Sequence, residues 1–492
     1  MFRRHRAMLL SGIAAFLAYA YFYQAGGWNQ NTRFDLVRAL VEERGIRIDD
    51  YQENTGDRAV FDGHYYADKA PGASFTAAPV VAIARAAMHE AGANVRSHRS
   101  LMWLSYVASL AASALPAAIA VMLVWWMARA IGATEVGSTV VALAFGLATP
   151  FWAWATVFYS HTLGAMCLLG AFAPVVRREV GETTASSDTR VGLLIGVLIG
   201  WAVVAEFPTV IPGAVVVLAA IGQAWRQGGA ARATRLAAAV AIGGGLCAVL
   251  LGAYHYSAFG SPFHVGYKSE EDSSLLQNGF FGLTYPKLNI VRELLWGSFR
   301  GLLPHAPALA LAPIGWILAA RRPVERRVVL IAGVVFLAGL AWNAAYEHWE
   351  GGWSFGPRHL GPVLGFLALG LVPVWTHGGR VLRGLVLALL VCGAAVNLVG
   401  VATDAQPPND YTRPMAEYLW PSFKDGYVSL NRQSYFDKRP PERTEEPRNI
   451  RVVLAQWNLG EQMGLVGLWS LLPLGIALGV TIGFGLATGY RE

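Results

Sequence analysis

The chain has 492 residues, 54% of them hydrophobic and only 14% charged, against about 25% charged in a typical soluble domain. Its net charge of +7 is spread as arginines in short links between apolar runs, not gathered on one basic face with interleaved aromatics, so nucleic acid is not an expected partner. Cys167, Cys247 and Cys392 each sit inside an apolar run without paired spacing, which excludes a disulfide framework or zinc site and leaves them as packing residues.

Apolar runs long enough to cross a bilayer recur near 7–25, 101–128, 137–156, 158–176, 191–206, 208–225, 235–256, 305–320, 327–346, 359–376, 380–401 and 463–487. They predict an all-α polytopic membrane protein, one integral domain over 1–492 with about 12–13 transmembrane helices. A β-barrel would show alternating segments of about ten residues, which do not occur. The first run follows "RRHR" and ends near "AYA" (Ala18–Ala20). That resembles a signal peptide, but it is read as an uncleaved first span.

The arginine-bearing links are "MFRRHR", "VVRREVG", "AWRQGGAARATR", "AARRPVERR" and "HGGRVLRG". The positive-inside rule makes them, and both termini, cytoplasmic. Three long polar stretches, about 26–72, 257–304 and 402–462, then share the outer side. Residues 73–91 are apolar enough to suggest another span, which would reverse the parity of everything after it. They are expected instead to form an interfacial or re-entrant helix, so that the first outer loop extends over 26–100. This parity brings the chemistry-bearing segments to one face. Mid-span regions are nearly free of charge, unlike those of a transporter with its site at the midplane.

In "NTRFDLVRALVEERG" the apolar positions Phe34, Leu36, Val37, Leu40 and Val41 suit a helix lying on the membrane, while Arg33 and Asp35 are polar candidates for a site, Asp35 as a general base. In "DGHYYADKAPG", Lys69 is a compact cation suited to a phosphate and Asp68 a partner or second acid. A snorkelling lysine with its counter-ion is the alternative, and Tyr66 is a belt aromatic or a site residue. His161 ends "WAWATVFYSH" as a packing histidine or a donor, and Glu206 closes a span where a carboxylate is costly unless paired or functional. "FGSPFHVGY" brings Tyr267 and "RGLLPH" brings Arg300 to the same face. "HWEGGWSFGPRH" is the densest stretch. Its glycines permit close backbone approach, Trp353 offers a flat face for a sugar ring or a belt, and Arg358 and His359 could grip a phosphate. There is no P-loop, dinucleotide fingerprint, "HExxH" or nucleophile elbow.

These landmarks resemble the C superfamily of membrane glycosyltransferases (GT-C), such as the lipid A aminoarabinose transferases and protein O-mannosyltransferases. "NTRFDLV" and "YYADKAP" are similar to the acid-bearing helix and the lysine motif of the family's first outer loop, and "ATPFWAWATVFYSH" to its third landmark. The resemblance implies inverting transfer of a sugar from a polyprenyl-phosphate carrier to a hydroxyl acceptor, on the outer face of a bacterial inner membrane. It assigns Lys69 to the lipid phosphate, with Arg358, His359 and Arg300 as further phosphate-binding candidates. The family's acid falls at Gln30 or Asn31, neither of which is a base, so Asp35, one helical turn on, is expected to stand in, with Asp68 as second acid. No nucleotide is needed, and a divalent cation (magnesium or manganese) is left open as the one candidate cofactor. The alternatives are a transporter of lipid-linked glycan or a non-catalytic subunit of envelope assembly.

Overall fold

The computed structural model describes residues 5–181, 188–270, 279–280, 282–431, 433–436 and 456–489. The start of "MFRRHR" and residues 437–455 of the last polar stretch lie outside the described residues. The chain is an all-α multi-pass membrane protein. Among the described residues seven helices are long and apolar enough to cross a membrane: His98–Ala130, Asp188–Ala205, Phe207–Phe259, Pro323–Ala345, Arg358–His377, Gly379–Thr403 and Gly467–Gly485. Shorter apolar helices, Arg6–Ala20, Glu135–Gly146 and Pro307–Ala319, complete the bundle together with His161–Glu179.

The expected spans fall largely on helix; the run at 7–25 is helix only to Ala20 and continues into the strand Phe22–Tyr23, and two further differences have local causes. The run at 137–156 breaks at Pro150 into Glu135–Gly146 and Phe151–Thr156, because proline starts helices more readily than it continues them. The runs at 208–225 and 235–256 are two arms of one element, Val210–Phe259, bent where Gly228 and Gly229 leave helical geometry. Of the cysteines, Cys167 and Cys247 are buried, whereas Cys392 is exposed on its apolar helix rather than packed inside.

One end of the bundle is tied together by its basic links. Arg226 and Arg327 both reach Glu179, at 2.8 and 3.1 Å, Arg178 and Arg232 both reach Asp188, at 2.7 and 2.9 Å, and His377 lies 2.9 Å from Glu325. The "VVRREVG", "AWRQGGAARATR", "AARRPVERR" and "HGGRVLRG" links therefore lie at the same end.

The opposite end carries the polar loops. Helix Trp28–Arg38 leads through a single-turn π-helix, Ala39–Glu43, to an antiparallel hairpin, Arg58–Phe61 with His64–Ala67. The hairpin turn is Asp62–Gly63, both at positive φ, the conformation a two-residue turn needs to match strand twist. Helix Gly72–Glu90 follows, packs against helix His98–Ala130, and is not among the seven. Near the end of the chain, Trp457–Asn458 pairs antiparallel with Phe22–Tyr23 and fastens the last helix to the first.

Candidate functional site

A cavity of about 610 Å³ opens among these loops. The hairpin delivers Lys69 to it. The Lys69 ammonium, 11% exposed, lies 3.0 Å from Asp57 and 3.9 Å from Glu270, is hydrogen-bonded to Asp68, and stands 5.2 Å from the Tyr267 ring centroid. Glu270 is held there because it bridges to Ala59 of the hairpin. Burial works against the lysine's charge, but Asp57, Asp68, Tyr267 and Glu270 together raise its pKa well above the ordinary value. Burial also pushes Asp68 up to about 6, against the pull of Lys69. Burial, again opposed by Lys69 and reinforced by Asp68 and Asp57, pushes Glu270 up to about 7. We read this cluster as a protonated lysine beside two carboxyls, Asp68 and Glu270, that take up protons near neutrality.

A second group converges from three helix ends. Arg33 Nη2 donates to Ser160 Oγ at 3.0 Å, Ser160 Oγ donates to Glu206, and His161 Nδ1 lies 3.1 Å from Glu206 Oε2. The corner that presents Tyr159 to His161 is pinned by a π turn, Leu110–Ala114. Ser113 Oγ donates to the Tyr159 carbonyl at 2.8 Å, and the Ser113 carbonyl accepts from Thr162 Oγ1 at 3.0 Å. His359 meets His161 edge-on at 5.8 Å, and the Arg358 guanidinium lies 4.9 Å from the Tyr159 ring centroid. Arg358 and His359 are seated by the glycine-rich loop before them, where Gly351, Gly352 and Gly356 all take positive φ. A Cβ on Gly351 would stand 2.9 Å from Arg358 Nε and 3.2 Å from His359 Nε2. Arg33 Nε and Nη1, Arg358 Nε and His359 Nδ1 are buried without a hydrogen-bond partner. Such donors are costly to bury unless a ligand meets them. From Glu206 and His359 a narrow crevice runs between Pro208 and Pro212 on one side and Gly339, Trp342 and Pro362 on the other.

Two sets of side chains have donor atoms within 4.8 Å of one another, as a metal requires: His161, Glu206 and His359, and Asp57, Asp68 and Glu270. In the second the Lys69 ammonium already lies against Asp57 and Asp68. The first, two imidazoles and a carboxylate, suits zinc or manganese better than magnesium.

No family model matches the sequence, and no curated protein matches it. Solved structures do. ArnT from Cupriavidus metallidurans bound to undecaprenyl phosphate matches 98% of this chain and 75% of its own, at 14% identity and a TM-score of 0.50. Its apo state gives 97%, 73%, 14% and 0.50. The apo Archaeoglobus fulgidus oligosaccharyltransferase matches 91% of this chain and 62% of its own, at 12% identity and 0.51. The chain has the GT-C fold.

Within this GT-C fold, Lys69, Arg33, His161, Glu206, Tyr267, Trp353, Arg358 and His359 all line the one cavity, though they come from distant segments. Four expected site residues do not line it. Asp35 is fully buried and accepts from Asn54 Nδ2 at 3.1 Å. On the Trp28–Arg38 helix Asn31 and Arg33 line the cavity, whereas Asp35 is turned into the packing around Asn54. Asp68 is 1% exposed, behind Lys69. Tyr66 is packed against Phe259. Arg300, 1% exposed, gives its Nη1 and Nη2 to the carbonyls of Ser354, Gly352 and Pro407 and to Asn409 Oδ1, so it braces the glycine-rich loop from outside the cavity. The residues absent from the sequence expectation are Asp57, Glu270, Tyr346 and a row of amides including Gln30, Asn31, Gln406 and Gln433. The "DG" turn at 62–63 was the one signal that would have revealed the hairpin and so brought Asp57 beside Lys69.

Proposed function

We propose that this protein transfers a sugar from a polyprenyl-phosphate carrier to a hydroxyl acceptor. The observation that carries the reading is the meeting of Lys69, Arg33 and Arg358 on one cavity with buried guanidinium donors unspent. Cations with unspent donors match a phosphate leaving group, and their fixed placement stabilises the charge that develops on it. The GT-C fold, and the undecaprenyl phosphate bound by the structurally similar ArnT, support the same class of donor.

In the step we infer, the acceptor oxygen attacks the anomeric carbon, the carbon–oxygen bond to phosphate breaks with inversion, and polyprenyl phosphate departs. The acceptor's proton goes to a carboxylate. We assign that role to Glu270, which lines the cavity and whose pKa lies near neutrality, where a general base works best. Glu206 is already engaged by Ser160 and His161. Where a divalent cation takes part, His161, Glu206 and His359 would hold it, and it would add charge at the leaving phosphate.

The orientation we infer puts the cavity on the periplasmic or extracellular side of a bacterial inner membrane and both termini in the cytoplasm. It rests on the arginine-rich links gathered at the opposite end. A second reading, carrier binding without transfer, is favoured by one observation: Gln30 and Asn31 line the cavity where the resemblance expects an acid. One experiment separates them. Vesicles containing the protein are given radiolabelled undecaprenyl-phosphate sugar and the products resolved. Transfer abolished by Lys69→Ala and by Glu270→Gln is expected, and undiminished transfer in both variants would refute the site. Carrier binding with no turnover under any acceptor would favour the second reading.

A further inference from the structure

The cavity is lined by more than cations and carboxylates. Amides and indoles also face it. Trp28 and Trp353 are 60% and 40% exposed. The amide ends of Gln30, Gln406 and Gln433 converge at Gly27: a Cβ there would stand 2.9, 3.0 and 2.6 Å from their oxygens. Gln30 Nε2 donates to Gln406 Oε1, and Gln406 Nε2 donates to the Ala25 carbonyl at 2.8 Å. Asn31, 2% exposed, spends its Nδ2 on the carbonyls of Asn54 and Ser434, at 2.7 and 3.0 Å, which leaves Oδ1 buried with no partner. Asn29 Oδ1 is in the same state.

We propose that this amide-lined half of the cavity binds an uncharged sugar ring, a refinement that rests on the transferase reading above. A sugar hydroxyl both donates and accepts, and a carboxamide is the side chain that offers both together. Exposed indoles supply flat apolar surface for the C–H face of a ring. The charges here do not suit other ligands. The guanidiniums that line the cavity, Arg33 and Arg358, are those assigned above to the phosphate, and Arg300 behind the loop gives its Nη1 and Nη2 to carbonyls and Asn409, so none is set aside for a uronic acid. The lining carboxylates stand beside other groups: Asp57 and Glu270 face Lys69, Glu206 faces His161, and Glu350 lies 3.7 Å from His348. A neutral ring can arrive as the unit the carrier delivers or as the acceptor's receiving residue. The recognition chemistry is the same.

The test uses the full chain in nanodiscs and native mass spectrometry. The probes are undecaprenyl phosphate, undecaprenyl phosphoglucose, and a panel of free neutral, uronate-bearing and amino-sugar oligosaccharides, with Gly27→Val and Gln406→Leu beside the wild type. The expected result is that the wild type favours undecaprenyl phosphoglucose over undecaprenyl phosphate, or retains neutral oligosaccharides over charged ones. Both variants should lower that preference about tenfold, some 1.4 kcal/mol, while binding undecaprenyl phosphate as before. Loss in the carrier-linked arm assigns the ring to the donor, and loss in the free-glycan arm assigns it to the acceptor. Wild-type protein that binds undecaprenyl phosphate but shows neither preference, or that prefers the charged sugars, overturns the inference. So does a preference that survives both variants. Neutral sugars bound without any binding of undecaprenyl phosphate would uphold this half of the cavity and refute the transferase reading instead.

Discussion

A single lysine among three carboxylates has a definite electrostatic consequence. With Asp57, Asp68 and Glu270 all ionised, the group around Lys69 repels a phosphate. Each proton it takes up makes it more receptive, and Glu270 and Asp68 take theirs near 7 and 6. Both are carboxyls raised above their ordinary values, so the neutral forms grow as pH falls. Undecaprenyl phosphate should therefore bind more tightly at about pH 6 than at about pH 8. Microscale thermophoresis across that range would show it, with Glu270→Gln flattening the profile. Lys69→Ala should weaken binding at least about tenfold at every pH, because it removes the attraction and leaves the repulsion. At this scale the sequence is legible where a polar side chain flanks an apolar run: Glu206 closes one, Arg358 and His359 open another, and all three line the cavity, as does Lys69 from the polar stretch before 73–91. Asp35 lies off the cavity because it is buried and takes the Asn54 amide, a contact made by a loop nineteen residues on that helical phase alone does not reveal. Arg300 was not decidable from sequence, because the carbonyls that capture it come from two loops, 352–354 and 407–409.

Among the elements, the loop from Tyr346 to His359 does the most positioning. Its glycines hold left-handed conformations that a side chain resists, and Arg300 fastens its carbonyls from below. Gly351→Ala should cost roughly 1–2 kcal/mol through backbone strain alone. It should also press on Arg358 and His359, so that sugar transfer falls more steeply than thermal stability in detergent. Arg300→Met should do the reverse, losing stability first: each carbonyl stranded without a donor costs roughly 1–3 kcal/mol. Comparing the two variants by transfer rate and by thermal aggregation checks the division of labour. Helices were the most legible elements because a membrane imposes long apolar runs. The hairpin was hidden because four-residue strands carry almost no periodic signal, and only its turn residues mark it.

The whole molecule separates its charges by end. Four arginine-rich links meet through Glu179, Asp188 and Glu325 at one end of the bundle, and the cavity lies at the other. Cysteine labelling tests the orientation. In a Cys392→Ser background, chosen because Cys392 is exposed while Cys167 and Cys247 are buried, Ser97→Cys should react with a membrane-impermeant maleimide in spheroplasts. Gln227→Cys should react only after lysis. The opposite pattern would invert the proposed topology. The pairing of Phe22–Tyr23 with Trp457–Asn458 bears on how the protein is made. The ribosome releases one strand near the start of synthesis and its partner more than four hundred residues later, and Gln406 and Gln433 also arrive long after Lys69. A nascent chain thus carries its phosphate-attracting charges through most of its biogenesis before the amides that complete the cavity exist, and the exposed early strand marks it as unfinished. Ribosome-stalled intermediates ending before 457 should be far more sensitive to added protease at the first loop than the completed chain, with protection arriving in a single late step.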